Sequence, residues 1–369
     1  MRLKFLDGAR GIASLMVVIY HVTLAFPSYH YSVSSFGDLI SNPPAWFRVT
    51  PLRLLASGQA AVAFFFVLSG LVLAIPFLNE QRVNYGQFLL KRICRIWLPF
   101  AGAILFSAAL HYYLRMDTTP DWRNTPPGQL TFGLVFSDIL LINGPENRLL
   151  DGPMWSLVHE MRVSIIFPLL MLFVFRKPAT AFVAAVILHL ISSIFFPAVY
   201  SFPSATWADT GFYVLFFVVG ALLAQYRHII ASMYGRLSPF VGVILVLFAL
   251  VLFAAPGRSA FAADSWMIAS VLIVAFLLGN RHAASALETP VPAWLGRVSY
   301  SLYLIHLPIL TAAIHGLGPV LPLWAIMAIA VPTALIAAEL FYRAVEAPSM
   351  RLGKRLTRRR IVPAAATGV

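Results

Sequence analysis

Arg10 and His21 are ionisable residues at the two ends of an otherwise apolar run, LDGARGIASLMVVIYHV, residues 6–22. They stand eleven residues apart. On a helix this spacing is about three turns, so both side chains face the same way, about 16 Å apart. Ionisable groups are costly to bury in a membrane segment, and by default they mark a path for protons or charged substrates. The alternative is that Arg10 anchors the helix at the membrane surface and that His21 is a hydrogen-bonded structural residue.

A second polar group, Ser156, His159, Glu160 and Arg162, interrupts the apolar run MWSLVHEMRVSIIFP at what we expect to be the outer end of a membrane span. Ser156 and Glu160 are four residues apart and share one helix face. Glu160 and Arg162 diverge by about 200°. Each therefore needs a partner from another helix, and the pattern predicts a converging polar centre. The alternative is a local Glu–Arg pair that joins neighbouring helices.

A third group lies in GRVSYSLYLIHLPI, where Ser299, Tyr303 and His306 occupy positions i, i+4 and i+7. This spacing forms one stripe along a helix. Serine and tyrosine are ordinary in contacts between membrane helices. The stripe is therefore open to both a structural and a functional interpretation.

Three cations, Lys91, Arg92 and Arg95, stand in LLKRICRIWLPF, where the chain is expected to enter the membrane. Arg92 and Arg95 are three residues apart, which on an α-helix predicts a shared face, and arginine forks bind phosphate oxygens. The alternative is that these residues are anchors at a helix start. Cys94, the single cysteine, is interpreted as a passive thiol, and no Cys/His cluster predicts a metal site.

The elements that must position these residues follow from composition. The chain is 60% hydrophobic and only 11% charged, with a mean hydropathy of +0.82, which is far from the composition of soluble domains. We predict an all-α, polytopic membrane bundle of about ten helices. The first apolar run is taken as a membrane helix and not as a cleaved signal peptide. The predicted spans are residues 11–26, 59–78, 97–114, 154–175, 179–196, 210–226, 237–254, 265–280, 298–316 and 322–342.

Charge sets the predicted orientation of these spans. Of the 27 Lys and Arg residues, 20 fall on the side of the N-terminus and six on the other side, and Arg162 falls inside a span. This asymmetry predicts that both termini are cytoplasmic. It accounts for the net charge of +13 without a nucleic-acid partner. The basic tail is expected to contact anionic membrane lipids.

Residues 130–144 are apolar but short, and they contain Asp138. We interpret them as an interfacial or re-entrant segment, because a further span would invert the charge asymmetry. The outer loops 27–58 and 115–153 are rich in Pro, Asn, Asp and Trp. They suit either a surface for sugars or lipid headgroups or plain solvated loops. Residues 1–346 are predicted as one transmembrane domain and 347–369 as a cytoplasmic tail.

Six motifs together resemble the acyltransferase-3 family of bacterial membrane O-acyltransferases over residues 6–356. They are LDGARGIASLMVVIYH, FFFVLSGLVL, KRICRIWLP, WSLVHE, SYSLYLIHLP and YRAVEAPSMRLGKRL. The resemblance implies ten or eleven helices in the bacterial inner membrane. It also implies a cytoplasmic acyl-CoA donor, usually acetyl-CoA, and a hydroxyl acceptor on an extracytoplasmic glycan or lipid-linked saccharide, such as O-antigen or exopolysaccharide. A polysaccharide-synthesis complex is a conceivable partner.

The resemblance also implies roles for individual residues. The family's Arg–ten residues–His pattern maps onto Arg10 and His21, and its Arg-x-x-Arg pattern onto Arg92 and Arg95. The glutamate of the family's Trp-Ser-Leu motif maps onto Glu160. Arg10 would help to hold the donor, with His21 as a general base or as a nucleophile that forms an acyl-histidine. Glu160 is expected near His21, paired with His21, Arg10 or a substrate hydroxyl.

The chain departs from many relatives in two respects. Arg162 replaces part of an aromatic pair that often follows the glutamate, and we expect no extracytoplasmic hydrolase-like domain. The competing prediction is a proton-coupled transporter or flippase of a glycan or lipid-linked intermediate. No repeated halves of the kind found in transporters are visible in the sequence.

Overall fold

The computed structural model describes residues 3–79, 83–116, 130–141, 150, 152–195, 206–257 and 259–357. Most of the predicted outer loop 115–153 and the tail after Thr357 lie outside these residues. Within them the chain is helical and has no strand. Ten helices correspond one to one with the ten predicted spans. They are α1 (Lys4–Leu24), α2 (Gly58–Leu78), α3 (Tyr85–Leu114), α4 (Trp155–Arg176), α5 (Pro178–Phe195), α6 (Trp207–Gln225), α7 (Pro239–Phe253), α8 (Ala260–Gly279), α9 (Pro290–Leu317) and α10 (Leu323–Leu356).

Among the described helices, all but α7 are long and apolar enough to cross a bilayer, and α7 is a shorter apolar helix of 15 residues. This confirms the predicted all-α membrane bundle. Helices α2, α6 and α9 form the most buried part of the core, whereas α5 lies mostly exposed at the periphery. An apolar helix that is exposed on most sides is stable in lipid, because its backbone groups are hydrogen-bonded internally.

Helices α1 and α9 cross at small residues. A Cβ atom at Gly11 would lie 2.4 Å from the backbone nitrogen of Gly296, and a Cβ atom at Gly296 would lie 2.1 Å from the carbonyl oxygen of Asp7. Only glycine permits this close approach. Ten residues beyond Gly11 and Gly296, His21 and His306 also meet. The two helices therefore run parallel and in register.

This parallel packing bears on how many crossings separate α1 from α9. Two parallel membrane helices are separated by an odd number of crossings, and α2 to α8 supply seven described helices when the short α7 is included. The described part of residues 130–144 contains one helix, Phe132–Ile139, of only eight residues. At 1.5 Å per residue it is about 12 Å long, too short to cross a bilayer.

Phe132–Ile139 instead lies along α3. The indole of Trp97 donates a hydrogen bond of 2.8 Å to the carbonyl of Ile139, and Ser107 donates one of 2.5 Å to the carbonyl of Leu150. Trp97 is twelve residues into α3. The Trp97 contact places the end of this helix beside α3, while Phe132 and Phe136 are exposed on its outer face.

The end of α10 passes the predicted domain boundary at residue 346 without a break. A π-helical turn at Tyr342–Glu346 leads into the helix Ala347–Leu356. Gly353 packs against Cys94 of α3, where an added Cβ would lie 2.9 Å from the Cys94 Cβ. Exposed leucines, Leu352 and Leu356, lie on this helix with its basic residues, a pattern typical of helices at a membrane surface.

Candidate active site

A buried ion pair between α3 and α4 is the centre of the polar cluster. Arg92 Nη2 donates to Glu160 Oε1 at 2.8 Å, and Arg92 Nε donates to Ser164 Oγ at 3.1 Å. Ser69 of α2 donates a third hydrogen bond of 3.1 Å to the Glu160 carboxylate. The two charged side chains are 11% and 14% exposed. Such a pair stabilises a buried site only when both charges are hydrogen-bonded, as they are here.

The Glu160 carboxylate faces a narrow cavity of about 40 Å³, room for only a few waters. Arg10 enters this cavity from α1 and is within electrostatic range of Glu160, Arg92 and Arg95. Ser156 and Glu160 both line it, as their spacing predicted. The lining residues are Arg10, Val62, Phe65, Phe66, Ser69, Ser156, Leu157, Glu160, Ser299, Tyr300 and Tyr303.

Arg92 and Arg95, which the sequence placed on one helix face, differ in exposure although both lie within electrostatic range of Arg10. The chain forms a π-helical turn at Ile93–Trp97, and its wider i→i+5 turn changes the angle between residues three apart. Arg92 is consequently buried, whereas Arg95 is exposed. Lys91 is exposed as well. Of the four cations predicted to bind the donor, Lys91 and Arg95 are exposed, Arg10 is half-buried and Arg92 is buried.

The predicted partners of Glu160 also need correction. We expected His21, Arg10 or a substrate hydroxyl, but the direct partners are Arg92 and Ser69. The sequence also predicted that Glu160 lies at the outer end of a membrane span, but it lies deeper in the bundle. Helix α4 starts inside the bundle, because the carbonyl of Pro153 accepts a 3.0 Å hydrogen bond from Tyr303, thirteen residues into α9.

His21 pairs with a second histidine. Its Nδ1 lies 3.1 Å from Nε2 of His306 and 3.0 Å from the carbonyl oxygen of Val17. His306 is fully buried, and its Nδ1 lies 2.9 Å from the carbonyl oxygens of both Leu302 and Tyr303. The predicted stripe on α9 therefore reaches the site, with His306 at the histidine pair.

Tyr303 connects the histidine pair with the cavity. Its ring centroid is 6.2 Å from that of His306, and its hydroxyl lies 2.6 Å from Ser156 Oγ. Ser299, one turn before Tyr303, also lines the cavity and donates 2.9 Å to the Gly296 carbonyl. Ser156 and Tyr303 therefore link the two helices. Glu160 lies one turn from Ser156 on α4, and His306 lies one turn from Tyr303 on α9. About two turns, or roughly 10 Å, separate Glu160 from the histidines.

Arg162 points away from Glu160, as its spacing predicted. It donates to the carbonyl of Thr206 and to the hydroxyl of Thr210, both at 3.1 Å, and its guanidinium lies 4.2 Å from the ring centroid of Trp207. His159 Nδ1 lies 2.9 Å from the same Thr210 hydroxyl. These two residues join α4 to the beginning of α6 and do not line the cavity.

Three polar residues of this region were not predicted from the sequence. Ser69 binds Glu160, Tyr300 lines the cavity and donates 2.8 Å to the Ile96 carbonyl, and buried Glu346 accepts a 2.5 Å hydrogen bond from Ser301. Ser69 and Glu346 stand within two of the quoted motifs, FFFVLSGLVL and YRAVEAPSMRLGKRL. A polar residue inside each of these motifs was the available signal.

The arrangement combines a cationic region at Arg10, Arg92 and Arg95 with a histidine pair about three turns further along α1. The cations suit an anionic substrate, and the imidazoles suit proton transfer or nucleophilic attack. In the part of the chain that the structure describes, no three His, Cys, Asp or Glu side chains gather where they could hold a metal ion.

Fold and site define a multi-pass helical membrane protein with a cluster of charged and polar side chains inside the bundle. Residues 3–343 match the acyltransferase-3 family, described as an acyltransferase domain. The chain therefore belongs to this family and is an acyltransferase, which confirms the resemblance and favours the enzyme over the transporter.

Two of three similar proteins are named as acyltransferases. The chain is 26% identical to the acyltransferase MdmB of Streptomyces mycarofaciens over 394 aligned positions, covering 99% of this chain and 95% of the relative. It is 31% identical to protein 2 in the picA locus of Rhizobium radiobacter, over 45% of this chain and 81% of that protein. A shorter match, 28% identical over 32% of this chain and 25% of the relative, is to the O-acetyltransferase PaAT-1 of Phomopsis amygdali. No solved structure matches.

Proposed function

We propose that this protein transfers an acyl group, acetyl in the simplest case, from cytoplasmic acyl-CoA to a hydroxyl of an extracytoplasmic glycan. The observation that carries the proposal is the placement of Arg10 and His21 on the same helix, α1. Arg10 lies in the cavity of the ion pair, and His21 lies about 16 Å further along the same helix. This distance is similar to the reach of the pantetheine arm of CoA.

The donor would bind by its anionic end. Its nucleotide is too large for a cavity of about 40 Å³, so it would stay at the cytoplasmic mouth near the exposed Lys91 and Arg95. Arg10 would add its charge further along the path. Arg92, which is bound to Glu160, would serve the donor by keeping this path ordered.

The acceptor would approach from the outer end of α1, where the chain continues into the predicted loop 27–58. The described helices Phe36–Ser41 and Pro43–Val49 lie in this loop. Tyr31, Phe36 and Trp46 expose their rings there. Exposed aromatic rings provide flat apolar faces for sugar rings, which supports a saccharide acceptor.

The proposed chemistry needs a base, because a sugar hydroxyl is a poor nucleophile at neutral pH. His21 takes the hydroxyl proton as the oxygen attacks the thioester carbonyl carbon. The carbon–sulfur bond breaks, and His21 gives this proton to the departing CoA thiolate. Alternatively, His21 first displaces the CoA thiolate to form an acyl-histidine. The hydroxyl oxygen then displaces His21 from the acyl carbon, and the hydroxyl proton passes to the thiolate.

The enzyme would reside in the bacterial inner membrane, with the helix Ala347–Leu356 on anionic lipid. Association with a polysaccharide-synthesis complex would bring the acceptor to the outer mouth. This part of the proposal rests on the family and on the basic, amphipathic character of that helix.

The test combines a labelled donor with analysis of the product. Purified wild-type protein should consume labelled acetyl-CoA when the glycan is present, and the His21→Ala variant should not. Mass spectrometry and NMR of the surface glycan should show an O-acetyl group that disappears when the gene is deleted. An unchanged glycan, or full activity of a well-folded His21→Ala variant, would contradict the proposal.

A further inference from the structure

We infer that His306 is a positioning residue for His21, which it holds in the tautomer with the proton on Nδ1 and the reactive lone pair on Nε2. The inference rests on the proposed role of His21. It assigns the orientation of His21 to a second histidine and not to Glu160, which we expected near His21 from the sequence.

The protonation of His306 follows from its backbone neighbours. Its Nδ1 lies 2.9 Å from two carbonyl oxygens, those of Leu302 and Tyr303. A carbonyl oxygen only accepts hydrogen bonds, so Nδ1 must carry the proton. In the neutral imidazole the other nitrogen, Nε2, is then an acceptor. His306 is completely buried, and burial disfavours the doubly protonated, charged form.

The tautomer of His21 follows from two contacts that agree. Its Nδ1 lies 3.1 Å from the acceptor Nε2 of His306 and 3.0 Å from the carbonyl oxygen of Val17. Both neighbours accept, so the Nδ1 of His21 is the donor. Neutral His21 must then carry its lone pair on Nε2.

The backbone fixes this pair in place. His21 and His306 each follow, by ten residues, one of the two glycines at which α1 and α9 touch. The nearly equal rise along parallel helices brings the rings to one level. The ring centroids are 5.1 Å apart, and rotation of His306 is opposed by its two backbone contacts.

The assigned tautomer serves both proposed mechanisms. As a base, His21 accepts the hydroxyl proton on Nε2 while the acceptor oxygen bonds to the acyl carbon; the carbon–sulfur bond then breaks, and His21 returns the proton to the departing CoA thiolate. As a nucleophile, Nε2 bonds to the acyl carbon and expels the CoA thiolate. Positive charge develops on the His21 ring in either case, and the Nδ1–H bond to His306 strengthens as it does.

The direct test is ¹⁵N NMR of the purified protein with labelled histidine. The His21 signals are assigned from their loss in a His21→Asn variant. We expect wild-type His21 to be protonated on Nδ1 and unprotonated on Nε2 under conditions where it is neutral. A proton on Nε2 instead would overturn the inference. This readout does not depend on activity, so it separates failure of the inference from failure of the proposed function.

Kinetics provide the second test. His306→Leu removes the acceptor and should lower kcat about 100-fold, within the range of general-base contributions, while KM for acyl-CoA stays unchanged. His306→Gln offers an amide oxygen near the position of Nε2 and should recover part of kcat. His228→Gln, at an exposed histidine that does not line the cavity, is the matched control. Wild-type kcat in a folded His306→Leu variant would refute the positioning role, as would equal losses in the Leu and Gln variants.

Discussion

At the scale of single residues, the two arginines of the Arg-x-x-Arg pattern have different environments. Arg92 is buried against Glu160 and Ser164, whereas Arg95 is exposed. Removing one partner of a buried ion pair leaves an uncompensated charge, which typically costs about 3 to 5 kcal/mol. An exposed arginine has no such structural role. The two residues are therefore separable by experiment.

We predict that Arg92→Ala lowers the thermal stability of the detergent-solubilised protein, and that Arg95→Ala leaves stability unchanged but weakens acyl-CoA binding. High salt should mimic the Arg95 change, because exposed phosphate contacts are screened. Arg92→Lys should recover little, since an ammonium cannot reproduce the forked contact to both Glu160 and Ser164. Thermal unfolding and calorimetric titration with acyl-CoA measure the two effects. Equal stability of both alanine variants would disprove the distinction.

Glu160 offers a second test at this scale. Glu160→Gln keeps the shape but removes the charge that neutralises Arg92 and acts on Arg10. We predict a loss of stability together with a reduced kcat, because buried Arg92 and the neighbouring Arg10 then lack a carboxylate to balance their charge. Ser69→Ala removes only one hydrogen bond to Glu160 and should cost about 1 kcal/mol. If Glu160→Gln has wild-type stability, the ion pair does not hold α3 against α4.

At the scale of elements, the contact between α1 and α9 decides whether the two histidines meet. The glycines at the crossing leave no room for a side chain, and the registers of both helices follow from that point. Local features of two other helices also decide where polar side chains lie. The π-helical turn Ile93–Trp97 separates Arg92 from Arg95, and the entry of α4 from inside the bundle brings Glu160 to the level of Arg92.

We predict that Gly296→Ala forces α1 and α9 apart and lowers acyl transfer strongly, with a destabilisation of roughly 1 to 3 kcal/mol from overpacking. The added methyl group would lie 2.1 Å from the Asp7 carbonyl oxygen. Gly316→Ala on the same helix, where nothing lies within 4 Å of an added Cβ, is the control. Activity assays of both variants at equal expression provide the measurement. Similar activities would show that the crossing does not set the geometry of the histidine pair.

At the scale of the whole molecule, the charge distribution predicts that both termini and the exposed Lys91 and Arg95 face the cytoplasm. We therefore predict that inside-out vesicles consume externally added labelled acyl-CoA and that sealed right-side-out vesicles do not. Reporter fusions at both termini should be active only as cytoplasmic reporters. Permeabilised right-side-out vesicles serve as the control for enzyme content. Consumption of the donor by intact right-side-out vesicles would reverse the proposed orientation.

The sequence by itself determined the helical membrane fold and the positions of its ten spans, because apolar length is a property of each segment alone. It also determined which residues share a helix face within a regular α-helix, such as Ser156 with Glu160 and Ser299 with Tyr303. The family motifs extended this to the acyltransferase assignment. All of these features depend on local periodicity or on the order of residues along the chain.

Only the tertiary structure decided which polar groups are partners. Glu160 binds Arg92 and Ser69, and His21 binds His306, 285 residues away. The distance of closest approach between helices, the π-helical turn and the depth at which α4 begins select these pairs. Such selection depends on how helices cross in three dimensions, and the spacing of residues along any one helix carries no information about it.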